Sequence, residues 1–154
     1  MMRIIIYLFC LLLLSNCGFS VLKRPTINYE IVKIDTIGDK KINFKLRNDL
    51  LFLKENNQEK LIEIKIETIK NKDIKEKNDK NEITKYEIYI TTNVEFNYLG
   101  DAQKTKFTII ENGDYNVEEQ HSKTVNNEKN LIKILSDSLS EKLIFNLTLK
   151  LNDL

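Results

Sequence analysis

Between Lys60 and Lys70 the chain reads KLIEIKIETIK, with apolar and polar residues alternating strictly from Ile62 to Glu67. A period of two is the period of a β-strand. Ile62, Ile64 and Ile66 fall on one side, and Glu63, Lys65 and Glu67 on the other. Such a strand belongs to a sheet with one covered face and one wet face, and amphipathic elements must do the covering.

The flanking segments supply the remaining pieces. Ile27–Ile37 reads as a strand, with Ile27, Tyr29 and Ile31 on one side and Val32 and Ile34 on the other. Gly38-Asp39 breaks it, and Asp39 is placed to cap a helix. Lys40–Glu55 carries Ile42, Leu46, Leu50 and Leu53 at helical steps. Asn71–Asn81 is dense in charge and reads as a solvated hairpin connector. Glu82–Leu99 is a second long strand, with Tyr86, Ile88, Ile90, Val94, Phe96 and Tyr98 sharing a side. Gly100-Asp101 turns the chain, and Gln103–Ile110 returns as a strand with Phe107 and Ile109 inward. Glu111-Asn112-Gly113-Asp114 reads as the next turn, on the strength of its Asn-Gly pair. From Glu118 to the end the period becomes helical, with Leu131, Leu135, Leu139, Leu143, Leu147 and Leu151 every fourth residue. The order β-α-β-β-β-α predicts an α+β two-layer sandwich, with two helices on one face of a four-stranded mixed sheet. Ile64 and Leu139 should both be core.

The first residues follow another logic. Arg3 is followed by eleven unbroken apolar residues, Ile4 to Leu14. That is the length of a secretory signal's apolar region and well short of the ~20 residues that span a bilayer. Leu14-Ser15-Asn16-Cys17 then resembles a lipobox, with Asn16 where Gly, Ala or Ser is usual. The resemblance implies that Cys17 takes diacylglycerol, that the chain is cut before it, and that the new amine is acylated. Residues 1–16 would be the signal, 17–26 a lipidated linker, and 27–154 one domain. Cys10 would be lost with the signal, leaving Cys17 as the sole and acylated cysteine. Gly18 rather than Asp after it points, by resemblance to bacterial sorting, to the outer membrane.

Catalytic patterns are not evident. The single histidine, His121, sits at the polar start of the last helix. Ser136, Ser138 and Ser140, spaced by two, are expected to scatter around a helix rather than converge. There is no HExxH, nucleophile elbow or phosphate-binding glycine loop. We expect neither enzymatic activity nor a metal or cofactor. The formal net charge of +1 offers no long-range attraction for nucleic acid. Lys70, Lys72, Lys75, Lys77 and Lys80 could meet anionic glycolipid, but Asp73, Glu76 and Asp79 dilute them.

Several short segments together resemble the LPS-assembly lipoprotein family LptE, in its alphaproteobacterial branch. Cys17-Gly18-Phe19 with Leu22 is similar to that family's CGF-x-P-L-Y start, without its Pro and Tyr. Leu46-Arg47-Asn48-Asp49-Leu50 stands where the family has its first helix. Asp114-Tyr115-Asn116 precedes the last helix, and Leu135-Ser136-Asp137-Ser138-Leu139 looks like its L-A-D-x-I stretch. The resemblance implies the same β-α-β-β-β-α sandwich. It implies a lipoprotein on the periplasmic side of the outer membrane that helps assemble and plug the LptD barrel during lipopolysaccharide transport. Lipopolysaccharide itself is then a candidate ligand. Rival readings are an accessory subunit of an ABC-type lipid transporter, a secretin pilotin, or a surface enzyme or inhibitor.

Overall fold

A parallel pair of strands needs a crossover, and the first helix supplies one. The computed structural model describes residues 29–52 and 60–152. They form β1 (Tyr29–Gly38), α1 (Lys40–Leu51), β2 (Lys60–Lys77), β3 (Ile83–Tyr98), β4 (Thr105–Asn116) and α2 (His121–Asn152). The strands lie in the order β1-β2-β3-β4, β1 parallel to β2 and the other pairs antiparallel. This is the expected α+β fold, a four-stranded mixed open sheet with two helices.

The turn from β1 into α1 is tightly built. Gly38 has φ +102°, and a Cβ there would collide with the Thr68 carbonyl. Glycine meets both demands. Asp39 caps α1, its Oδ1 accepting from the backbone N–H of Lys41 at 3.0 Å and Ile42 at 3.1 Å. Asn43, fully buried one turn on, donates to the Ile37 carbonyl at 2.9 Å and accepts from Thr68 Oγ1 at 2.7 Å. A buried polar pair of this kind is tolerable because each group is satisfied.

The core lies between the sheet and the helices. Ile62, Ile64 and Ile66 of β2 and Ile88, Ile90, Val94 and Phe96 of β3 are buried against Ile42, Leu46 and Leu50 of α1 and the leucines of α2. Leu135 through Leu151 are all buried at their four-residue spacing, with Leu131 packed at the margin. A stripe of period four drifts about 40° per step around a helix of 3.6 residues per turn. The drift matches the path of α2 across the sheet. Leu131 and Leu135 lie over Gly113 of the β4 edge, whereas the Leu151 carbonyl accepts the Tyr29 hydroxyl at the β1 edge.

The structure departs from the alternation pattern in four places. A bulge between Ile31 and Lys33 resets the phase of β1, so Ile34 faces the helices beside Ile64, on the same side as Ile31. Asn71–Asn81 is not a connector: β2 runs on to Lys77 paired with β3, with register shifts between Ile74 and Lys77, and the turn is only the residues between the two strands. Asn78 builds that turn, its Oδ1 accepting from the N–H groups of Lys80 and Glu82, and Asn81 takes the left-handed backbone at φ 63°. Asn112-Gly113 is not a turn either, because both residues lie inside β4 opposite Tyr89 and Ile88. Gly113 is there to let Leu131 approach the sheet, which a Cβ would contact at 2.8 Å. Finally, α1 ends at Leu51 with Phe52 as its cap; the part of the expected helix beyond it, with Leu53, lies outside the described residues.

Candidate functional site

Two surfaces hold polar side chains in defined arrangements. The first is the open face of the sheet. Glu63, Lys65 and Glu67, expected on a wet face, sit there by strand register, together with Lys85, Glu87 and Glu95 of β3. Glu95 is clamped by Lys104 at 2.7 Å and Lys106 at 2.9 Å. Those two hydrogen-bonded lysines hold its carboxyl down at about 2. Glu87 accepts from Tyr89 Oη at 2.7 Å and Asn112 Nδ2 at 3.1 Å, which lowers its carboxyl in that order of importance. Thr108 donates to Asn93, and Lys75 reaches Asp114 at 3.0 Å. A shallow hollow of about 280 Å³ lies among Lys65, Glu67, Asn93, Glu95, Lys106 and Thr108. Ile69, Thr91 and Ile110 are cross-strand neighbours and lay a narrow apolar band across this polar field. The face is largely polar, and Glu87, Glu95 and Asp114 are held on it by neighbouring side chains.

The second surface is a cleft of about 510 Å³ between α1 and the first half of α2. Its floor is apolar, with Ile42, Val125 and Ile132, and its rim carries Lys41, Lys45, Lys70, Lys129 and Lys133 against Asp39 and Glu128. Lys70 is held by Asp39 at 2.6 Å, and Lys45 bridges Asp49 at 3.0 Å and Asp137 at 2.8 Å. Burial pushes the Asp39 carboxyl up, but Lys70 and the capping N–H groups outweigh it and hold it below its usual range. Glu128 is likewise pushed up by burial and held low by Lys72 and Tyr115. Lys72 reaches it at 2.7 Å while lying 4.2 Å over the Tyr86 ring, which stacks on Tyr115. Among the described residues, Lys41, Lys129 and Lys133 have no carboxylate partner. Three unpaired ammonium groups around an apolar floor can receive an anionic group joined to an apolar one.

The sequence-level candidates fall as follows. Cys17, the lipidation site, lies outside the described residues. The lysine run divides: Lys70 joins the cleft, Lys72 and Lys75 are ion-paired, and Lys77 donates to Asn81. Ser136 and Ser140 do not scatter. They are four apart, both buried, and Ser140 donates to Asp49 of α1 while Ser136 donates to the Ile132 carbonyl. Ser140 joins α2 to α1, whereas Ser136 bonds within α2 and lines the α1–α2 cleft. His121 is exposed at the first position of α2. Among the described residues no cluster of three His, Cys, Asp or Glu could hold a metal, and no helix is long and apolar enough to cross a membrane. The α1–α2 cleft was not legible, because its lysines come from three separate elements.

No protein-family model matches the chain, and no curated protein does. Its fold is similar to solved lipoprotein structures. Rare lipoprotein B from Shewanella oneidensis aligns at TM-score 0.64 and 11% identity, over 79% of this chain and 97% of that one. A lipoprotein from Caulobacter crescentus aligns at TM-score 0.54 and 12% identity, over 78% and 90%. Lipoprotein B from Nitrosomonas europaea aligns at TM-score 0.52 and 15% identity, over 81% and 88%. What the chain shares with these lipoproteins at such identities is the fold.

Proposed function

We propose that this chain is a lipid-anchored lipoprotein of the LptE type, held to the periplasmic side of the outer membrane through Cys17. Its open sheet face meets the wall of an LptD-type barrel and its domain plugs that barrel. The observation that carries this reading is the open face itself. A porin-type barrel has a polar lumen, and this face presents charges already fixed by neighbours, such as Glu95 between Lys104 and Lys106. Fixed charges make directional contacts with little ordering cost. The lipobox at Leu14–Cys17 and the fold shared with lipoproteins support the anchor. On this reading the protein is a binding partner, not an enzyme, and the unpaired lysines of the α1–α2 cleft meet phosphates of lipopolysaccharide.

The test is a mild-detergent pulldown from membranes through a C-terminal tag, read by mass spectrometry. The expected result is a stoichiometric outer-membrane barrel of the LptD type. Recovery of an ABC-transporter subunit, a secretin, or the free monomer would remove the LptE assignment.

A further inference from the structure

The outward side of the helical layer carries a pattern that neither the core, the open face nor the cleft explains. In α1, Ile42, Leu46 and Leu50 point to the sheet, so Phe44 and Leu51 project on the opposite side, as the helical period requires. Phe44 is 68% exposed, and the cap residue Phe52 84%. Lys40 and Arg47 share the helix, line no part of the cleft, and have no carboxylate partner among the described residues. The one acid within α1, Asp49, is turned to α2, where it holds Lys45 and accepts from Ser140. Exposed aromatic side chains among unpaired cations, on a helix lying flat against its own domain, are what a helix seated in a membrane interface presents.

The placement of these residues agrees. Leu51 and Phe52 end α1 at the end of the molecule where β2 starts. Leu99 of the β3–β4 turn and Phe145 and Leu149 late in α2 lie exposed toward the same end. Tyr29 pairs with Lys60 there. The opposite end is the polar Asn78–Glu82 turn. Twelve residue steps separate Cys17 from Tyr29, a reach of at most about 40 Å.

We propose that the outward face of α1 seats on an anionic phospholipid surface, with Phe44 and Phe52 entering the headgroup boundary and Lys40 and Arg47 meeting lipid phosphates. The inference rests on the lipid anchor proposed above and is independent of the barrel. The chain has no tryptophan, so Phe44→Trp, Phe52→Trp and, on the open face, Ile110→Trp each give one fluorophore. The full-length lipidated variants are reconstituted in vesicles of phosphatidylcholine and phosphatidylglycerol with brominated acyl chains. Trp at 44 and 52 should be quenched severalfold more than Trp at 110. That excess should shrink in phosphatidylcholine alone, in high salt, and in the Lys40→Glu/Arg47→Glu variant. Equal quenching at 44, 52 and 110 in protein that floats with the vesicles overturns the docking face and leaves the anchor standing. A blue-shifted but unquenched Trp at 44 that depends on protein concentration overturns it in favour of a second copy. Protein that does not float overturns anchor and docking face together.

Discussion

Neighbouring residues along β2 meet two different chemistries. Ile64 and Ile66 are at most 2% exposed, packed under the helices, whereas Lys65 between them and Glu67 after them line the open hollow. On the covered face each side chain contributes through removal from water, roughly 1.5–3 kcal/mol for a fully buried Ile or Leu. On the open face the side chains hold one another through ion pairs that remain in contact with solvent, and such pairs contribute little to stability. The covered face therefore determines whether the domain folds, and the open face can be specialised for a partner at small cost to folding.

Substitutions break this comparison in order of size. Ile64→Asp or Leu139→Asp places an unpaired charge in the core and should cost several kcal/mol, a large part of a typical domain's stability. A cooperative melting curve near the parent's would show that the faces are wrongly assigned. Asn43→Ala strands the buried Thr68 Oγ1, removes the bond to the Ile37 carbonyl, and should cost about 1–3 kcal/mol by denaturant titration. Asp39→Ala removes the α1 cap and should cost about 1 kcal/mol. Thr92→Val runs the other way: its hydroxyl is buried without a hydrogen-bond partner, so the variant should be more stable by about 1 kcal/mol.

The smallest effect belongs to the open face. The Glu95 carboxyl lies at about 2 in the folded chain against an ordinary 4.5. Its contribution is therefore complete above pH 4.5 and is lost as the pH falls through about 2. The difference in melting temperature between parent and Glu95→Gln should be small, constant above pH 4.5, and shrink toward pH 2. A difference that grows on acidification would contradict the clamp by Lys104 and Lys106.

The element order was legible because periodicity reports burial directly, and Ile62, Ile64 and Ile66 obey it without exception. Departures arise where a distant element changes the local meaning of a residue. The charged stretch after Lys70 looks like a loop until Glu128, Asp114 and Tyr86 arrive from α2, β4 and β3 to receive its lysines. Asn112-Gly113 looks like a turn until Leu131 needs the space above it. A one-residue bulge at β1 leaves no signature in composition, yet it moves Ile34 to the other face. Ser136 and Ser140 look scattered for a similar reason: i and i+4 share a face, and Ser140 meets Asp49 only once α1 packs there. The open polar face was visible in the alternation of β2 and β3, whereas the α1–α2 cleft requires α1, β2 and α2 together.

The central claim is that the open face, rather than the helical layer, meets the barrel. A photo-crosslinking amino acid at Ile110 on the open face, compared with one at Ile134 on the outward side of α2, tests it in intact cells. Both positions are about 60% exposed, so access does not bias the result. The account predicts an adduct with a large outer-membrane barrel from position 110 and none from position 134. Barrel adducts from position 134 alone would contradict it.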